Sequence, residues 1–204
     1  MIFKKQSVRL LLPAVLLCAA ANASTIFNFD GDNLGTSTTF TDTVNGLSAT
    51  FSSSADPGGF VVYPTMFETL TGNVLGDPGP AFMDNLSLDV SFSQDLAAVT
   101  LDFATSDFTS PSPFTITAFE NSVYVGAATS SGEFLPGFEF PEGEISFAGG
   151  PFNQLVISST AMDFAVDNIN VATAAPEPGT FALFGACLIL TGIPAIRRRK
   201  AARG

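Results

Sequence analysis

The sequence contains no tryptophan and no histidine, and it has only two cysteines. Both of these, Cys18 and Cys187, lie in apolar terminal segments, so residues 24–175 have no disulfide, thiol nucleophile or thiolate metal site. The absence of histidine also excludes a Ser-His-Asp triad and a histidine-bound zinc. Pairs of carboxylates are therefore the main catalytic option that the composition leaves.

Basic residues are missing from the whole central part of the chain, residues 24–175, termed the body below. All 8 Lys and Arg residues lie near the two ends, whereas eighteen of the 19 acidic residues lie in the body, which carries a formal charge of about −18. A surface without bases cannot neutralise phosphates, which argues against binding of nucleic acid or anionic lipid. It suits divalent cations or uncharged, hydroxyl-rich partners such as glycans, although solvation alone also explains it.

The N-terminal segment has the three parts of a secretory signal peptide. An apolar run over 10–20 separates a basic start from a small-residue end. We predict a signal peptide over 1–23, removed by signal peptidase before Ser24. A lipoprotein is a weaker alternative, because Leu17 precedes Cys18 where a small residue would be needed. The bases are Lys4, Lys5 and Arg9, and the small residues at the cleavage site are Ala21 and Ala23.

The C-terminal segment combines a rigid motif, an uncharged stretch over 178–196 and a basic cluster. The stretch is just long enough to span a bilayer as one apolar helix, and the basic cluster would remain on the cytoplasmic side. An ordinary membrane anchor is one interpretation of this pattern. The motif is Pro176, Glu177 and Pro178, and the cluster is Arg197, Arg198, Arg199 and Lys200.

These three parts closely resemble the PEP-CTERM sorting signal of exported proteins of Gram-negative bacteria, over residues 176–204. In that family a membrane-embedded cysteine transpeptidase, an exosortase, cleaves the tail near the motif, often in organisms that make extracellular polysaccharide. The resemblance implies that the chain is an exosortase substrate and that its membrane helix is temporary. It also implies an intermediate tethered to the inner membrane and a final location at the cell surface or in the extracellular matrix.

The body has the pattern of many short β-strands. Phe, Val, Ile and Thr recur in runs separated by Gly, Pro, Asn and Asp, and Asn121-Ser122 predicts a hairpin turn. About nine or ten strands favour an all-β, antiparallel two-sheet β-sandwich over 24–171, of the jelly-roll kind, with a linker over 172–175. Strands are predicted at 25–29, 47–51, 86–93, 99–103, 114–119, 123–125, 145–147, 155–157 and 164–171, and loops at 55–59, 76–80 and 136–143.

The predicted first and last strands carry acidic and amide side chains. The runs FNFDGD (27–32) and FAVDNINV (164–171) resemble secreted jelly-roll modules of the galactose-binding-like and legume-lectin-like kinds. In many of those modules the first and last strands pair beside a structural calcium. The resemblance therefore implies a calcium site, for which the chain offers oxygen ligands. Turn formation explains the same residues equally well. The implied ligands are Asp30, Asp32, Asp167 and Asn168.

Three functions stay open for the body. The favoured one is a non-catalytic surface or matrix protein, a spacer or adhesin whose acidic face bridges to partners through divalent cations. The alternative is a carbohydrate-binding module for extracellular polysaccharide, with Tyr63, Tyr124 or exposed Phe as stacking faces and Asp or Asn as hydroxyl acceptors. A glycoside hydrolase is the most distant, since it would rely on a carboxylate pair such as Glu142 and Glu144.

Overall fold

Strands make up most of the residues that the structure describes. The computed structural model describes residues 24–54, 56–77 and 86–174, and it has eleven strands and no helix within them. The predicted all-β class is therefore confirmed. The strands are β1 Ser24–Phe27, β2 Phe40–Val44, β3 Leu47–Ser52, β4 Val61–Pro64, β5 Asn73–Gly76, β6 Ser87–Thr105, β7 Pro113–Glu120, β8 Val123–Ser131, β9 Glu133–Phe134, β10 Pro141–Ser159 and β11 Phe164–Thr173.

Two long strands, β6 and β10, organise the sheet. They pair antiparallel from Glu142 opposite Ala104 to Ser158 opposite Ser87. The register slips twice between Ala148 and Gln154, and extra residues at such a bulge bend a strand. Gly149 and Gly150 lie in this stretch, where the lack of side chains makes a sharp bend easier. All eleven strands belong to one hydrogen-bonded sheet, and the bend divides it into two halves.

The two halves pack face to face. The β11 half contains β1, β4, β5, β9, β11, the C-terminal part of β6 and the N-terminal part of β10. The β7 half contains β2, β3, β7, β8 and the remaining parts of β6 and β10. Phe103 of β6 stacks on Phe114 of β7 across the interface, with ring centroids 4.1 Å apart. Phe164 of β11 meets the same Phe114 at 5.4 Å. The result is a two-layer antiparallel arrangement with an aromatic core.

Phenylalanine fills that core in place of tryptophan. Along β6 the side chains of Leu88, Val90 and Phe92 are buried while their neighbours are partly or fully exposed, as the twofold alternation of a strand requires. Burial of one such apolar side chain contributes about 1.5–3 kcal/mol. The core therefore accounts for the period-2 pattern of the sequence. The fully buried phenylalanines include Phe27, Phe29, Phe51, Phe60, Phe103, Phe114 and Phe152.

Two predicted pairings are confirmed. Asn121 and Ser122 connect β7 to β8, and both have positive φ, 49° and 68°, which is the backbone of the tight turn that suits a twisted hairpin. The first strand pairs antiparallel with the last, with Thr25 opposite Val171. This pairing of the first strand with the last brings the segment that follows β1 close to the middle of β11.

Several strand bounds differ from the prediction. Residues 87–93 and 99–103 belong to the single strand β6, and 145–147 and 155–157 belong to β10, because these two strands pair with each other on both sides of the bend. The last strand continues to Thr173, into the predicted linker. The strands β2, β4, β5 and β9 were not predicted. The run Thr41-Asp42-Thr43 of β2 has too few apolar residues to show alternation, and the other three strands have only two to four residues each.

The predicted processing signals lie outside the described residues. This holds for the signal peptide with Ala21 and Ala23, for the Pro-Glu-Pro motif, and for the basic cluster. Ser24 is the first residue of β1. Within the three described ranges no helix has the length and hydropathy that a membrane span needs.

Candidate functional site

A loop over residues 65–72, termed the strap, lies across the outer face of the β11 half. Ala104 of β6 and Ala165 of β11 are directly opposite each other in the sheet register. Their side chains point away from the main core, because Phe103 and Val166 beside them point into it. Leu70 of the strap packs on these two alanines in a second, smaller apolar cluster. The strap is therefore held to the sheet by buried apolar contacts.

Glu142 holds one end of the strap by hydrogen bonds. One carboxylate oxygen accepts from the backbone N–H of Glu68 at 2.8 Å, and the other accepts from the N–H and the hydroxyl of Thr69, each at 2.6 Å. Only 3% of Glu142 is exposed, whereas Glu144 on the same strand is exposed. Glu142 lies in β10 and not in the predicted loop. Its carboxylate is thus committed to the strap, which argues against a catalytic pair with Glu144.

Asp167 and Asp30 hold the other end. The buried Asp167 carboxylate accepts from the N–H of Thr71 at 3.1 Å and from the N–H of Asn168 at 2.7 Å, and Asp30 accepts from the N–H of Asn73 at 2.8 Å. The pKa of Asp167 is raised to about 6, mainly by burial and also by the nearby carboxylates of Asp30 and Asp102, while its hydrogen bonds to Thr71 and Asn168 oppose the change. Glu142 and Asp167 therefore hold the strap itself, and Asp30 holds the first residue of β5 directly after it.

The structure brings together three of the four predicted calcium ligands. Asp30, Asp167 and Asn168 lie around one end of the strap, and the Asn168 amide donates to Asp102 at 3.0 Å. Asp32 is the fourth predicted ligand. Burial and, as the smaller cause, the neighbouring Asp42 raise its pKa. One of its oxygens is buried without a hydrogen-bond partner among the described residues.

The carboxylates at the predicted calcium site take part in hydrogen bonds. Within the described ranges no group of three or more His, Cys, Asp or Glu side chains is placed to hold a metal ion. Asp30 and Asp167 each accept a backbone N–H from the segment 71–73. The calcium hypothesis remains a prediction from sequence, and nothing below depends on it.

A pocket of about 190 Å³ opens beside the strap, on the outer side of the β11 half. It joins residues that are far apart in the chain, from β4, the strap, the end of β5, the end of β6, the segment before β10 and the start of β11. One side is aromatic and the other is acidic. The residues used below are Tyr63, Phe67, Asp77, Phe140 and Asp163.

The aromatic side is a run of three phenylalanine rings. Phe67 meets Phe140 edge to face at 5.9 Å, and Phe140 meets Phe108 at 5.7 Å. Phe108 is 66% exposed, and Met66, which precedes Phe67 in the chain, is 64% exposed. The rings therefore form an apolar platform at the mouth of the pocket.

The acidic side contains Asp77, Asp163 and the hydroxyl of Tyr63. Burial and, as the smaller cause, the charge of Asp77 together raise the pKa of Asp163 to about 6. One Asp163 oxygen is buried and has no hydrogen-bond partner among the residues described. Burial also raises the pKa of Tyr63, and both carboxylates add to this effect. Glycine is needed at position 76, because a Cβ there would lie 2.9 Å from the Tyr63 hydroxyl.

Sequence analysis found this site only in part. Tyr63, predicted as a stacking residue, does line the pocket, and the predicted loops 76–80 and 136–143 supply Asp77 and Phe140. Tyr124 lies elsewhere, 63% exposed on the edge strand β8. The sequence analysis did not identify the strap or Asp163 as parts of this site, because no local sequence pattern relates them to each other. A signal was present in the phenylalanines of turn-rich segments, since a large apolar residue in such a segment often faces solvent for a reason.

No protein-family model matches the chain, and no curated protein matches it either. Among solved structures, it is similar to the K2 cleaved adhesin domain of Lys-gingipain, at 12% identity and a TM-score of 0.49, over 74% of this chain and 99% of that one. The K1 cleaved adhesin domain of Lys-gingipain from Porphyromonas gingivalis W83 gives the same coverage and TM-score at 7% identity. A carbohydrate-binding module with specific mannan recognition, TmCBM27, matches over 74% of this chain and 99% of its own length, at 11% identity and a TM-score of 0.43. At these scores the likeness carries no conclusion about activity.

Proposed function

We propose that the chain is an exported, non-catalytic protein of the cell surface or extracellular matrix, whose body binds carbohydrate in the pocket beside the strap. The observation that carries the proposal is the pairing of an aromatic platform with two carboxylates and a hydroxyl in one concave site. Sugars present an apolar face of C–H groups and a rim of hydroxyls. Aromatic rings suit the first and carboxylates accept hydrogen bonds from the second.

The proposal also includes the export of the chain and its sorting to the cell surface. The pocket lies at the start of β11, whereas the sorting signal follows the other end of that strand in the sequence. The PEP-CTERM-like signal, Pro176 to Pro178 with the basic cluster 197–200, supports export and sorting by an exosortase after signal peptidase has acted. Fractionation of the producing cells tests this. Neutral replacement of the cluster should retain the chain at the inner membrane at its unprocessed mass, and unchanged mass and location would contradict sorting.

Binding is tested with the extracellular polysaccharide of the producing organism. The full chain, solubilised in detergent, should bind that polysaccharide saturably, and oligosaccharides prepared from it should compete. Phe140→Ala removes the central ring of the platform and should weaken binding about fivefold or more, since one stacking contact in a binding site is worth ~1 kcal/mol or more. Tyr124→Ala is the matched control, because it removes an exposed aromatic ring from β8 in the other half of the sheet.

A second candidate, hydrolysis of glycosidic bonds, has one observation in its favour. Asp163 has a raised pKa beside a second carboxylate, Asp77, as a general acid beside a second carboxylate would. Release of new reducing ends from the bound polysaccharide, lost in both Asp163→Asn and Asp77→Asn, would replace the non-catalytic proposal. Binding without such release supports it.

A further inference from the structure

One asparagine of the chain is followed directly by a glycine, at Asn45-Gly46. These two residues form the turn between β2 and β3, where Val44 is opposite Leu47. Both have positive φ, 52° and 81°, which is the backbone of a tight two-residue hairpin turn. The side-chain amide of an asparagine can react with the backbone nitrogen of the next residue, because their union closes a five-membered ring. The structure shows whether this turn leaves the two groups free to do so.

Both reacting groups of the β2–β3 turn are open to solvent. Asn45 and Gly46 are exposed, and neither the Asn45 side-chain amide nor the Gly46 N–H has a hydrogen-bond partner in the described part of the chain. A Cβ built on Gly46 would meet no other heavy atom within 4 Å, so the space beside the attacking nitrogen is empty. Glycine has no side chain of its own to hinder the approach. Nothing in the described structure therefore holds the amide and the nitrogen apart.

The turn between β7 and β8, Asn121-Ser122, has a similar backbone but engages the same two groups. The Asn121 side-chain oxygen accepts from Nδ2 of Asn153 at 3.2 Å, and the Ser122 N–H donates to Oε1 of Gln154 at 3.2 Å. Ser122 also carries a side chain beside the nitrogen that would attack. The two turns therefore share positive φ at both positions, whereas only the turn at Asn45 leaves the amide and the nitrogen without partners among the described residues.

We propose that Asn45 is a site of spontaneous deamidation, which converts it to aspartate or isoaspartate with water as the co-reactant. The Gly46 backbone nitrogen forms a bond to the side-chain carbonyl carbon of Asn45, and the bond from that carbon to Nδ2 breaks. Ammonia leaves with the proton of the Gly46 N–H, and a cyclic imide remains. Water then opens the imide, either at the side-chain carbon to give aspartate or at the backbone carbon to give isoaspartate. No atom is oxidised or reduced.

Each product changes the hairpin in a different way. Aspartate adds a negative charge three residues after Asp42, in a body that has no base. Isoaspartate adds one backbone carbon to a two-residue turn, and the length of such a turn fixes the register of its strands. Phe40 of β2 stacks on Phe51 of β3 at 5.1 Å, so a change of register weakens this packing. Carbohydrate binding is a separate matter, since neither turn residue lines the pocket.

Mass spectrometry of the full chain, solubilised in detergent and incubated at neutral pH, tests the proposal. Chymotrypsin suits the digestion, because the body lacks lysine and arginine but has aromatic residues on both sides of each turn. We expect the peptide with Asn45 to gain the mass difference between an OH and an NH₂ group, while the peptide with Asn121 keeps its mass. Gly46→Ser gives the first turn the Asn-Ser sequence of the second, and it should slow the conversion about tenfold, equivalent to a barrier higher by about 1.4 kcal/mol.

A synthetic peptide of residues 40–51, incubated in parallel, reports the reactivity of the same sequence without the fold. Conversion of Asn45 in both the folded chain and the peptide supports the proposal. Conversion in the peptide alone overturns it, since the hairpin would then protect the amide. Equal conversion of Asn45 and Asn121, or an unchanged rate in Gly46→Ser, also overturns it, because the free amide and the unhindered nitrogen would then not decide the site.

Discussion

Replacement of Asp167 by asparagine gives the most direct view of how the strap is held. The Asp167 side chain is fully buried, and its pKa lies near 6 against an ordinary value of 3.8. The folded state therefore binds this proton more tightly than the unfolded state does. The resulting stability is fully present below pH 3.8 and is lost as the pH rises to about 6.

The size of the effect follows from the two pKa values. A difference of about two units at about 1.4 kcal/mol each is about 3 kcal/mol. Asparagine is neutral throughout and keeps one oxygen acceptor, but its NH₂ group cannot accept the second N–H. That loss costs about 1–3 kcal/mol at any pH. Compared with the parent, Asp167→Asn should thus be destabilised at pH 3.5 and should gain about 3 kcal/mol in relative stability by pH 7.5.

Urea unfolding of both proteins between pH 3.5 and 7.5 measures this difference. The quantity to compare is the difference in unfolding free energy between variant and parent at each pH, because other titrating groups cancel in it. Glu133→Gln, an exposed carboxyl on β9, is the control and should stay within about 0.5 kcal/mol across the range. A pH-independent difference for Asp167→Asn would show that the carboxyl does not titrate as the buried geometry requires.

Three further substitutions test the contacts that build the site and the core. Glu142→Gln should cost about 1–3 kcal/mol, because one oxygen loses its acceptor role toward the strap, and hydrogen exchange should show faster amide exchange over 65–72; unchanged exchange there would contradict the anchoring role. Gly76→Ala should destabilise by about 1–3 kcal/mol in thermal unfolding, since its methyl group would lie within 3 Å of the Tyr63 hydroxyl and the Ala165 Cβ, and a neutral result would mean that Tyr63 is not fixed there. Phe103→Ala should cost about 3–5 kcal/mol in urea unfolding, as it removes a fully buried ring that stacks between the two halves, and a loss under 1 kcal/mol would contradict the two-layer packing.

The strands with clear alternation could be predicted, and the bend could not. Leu88, Val90 and Phe92 alternate with polar residues, so that part of β6 was evident from the sequence. The polar stretch Ser93-Gln94-Asp95 looks like a loop in isolation. It forms a bulge within β6, because β10 pairs on both sides of it, at Leu96 and at Ser91, and no local pattern reveals these long-range contacts.

The positions of the acidic residues could likewise be predicted from the sequence only in part. Pairing of the first and last strands correctly predicted that Asp30 would approach Asp167. It did not predict the position of Asp32, because Phe29 has a positive φ of 55° and a turn follows at once. Glu142 between proline and glycine resembled a solvated loop residue, yet the strap buries it. The pocket was beyond prediction because Phe67, Phe140 and Asp163 are brought together only by the strap and the two long strands.

The central claim is that carbohydrate binds beside Tyr63, and tyrosine fluorescence tests it directly. The chain has two tyrosines and no tryptophan, so in Tyr124→Phe the emission comes from Tyr63 alone. Titration of this variant with oligosaccharides from the organism's own polysaccharide should give a saturable change in emission. The reciprocal variant Tyr63→Phe, which reports from Tyr124 on β8, should show none. Saturable binding that changes the emission of Tyr124 and leaves that of Tyr63 constant would place the carbohydrate elsewhere and contradict the account.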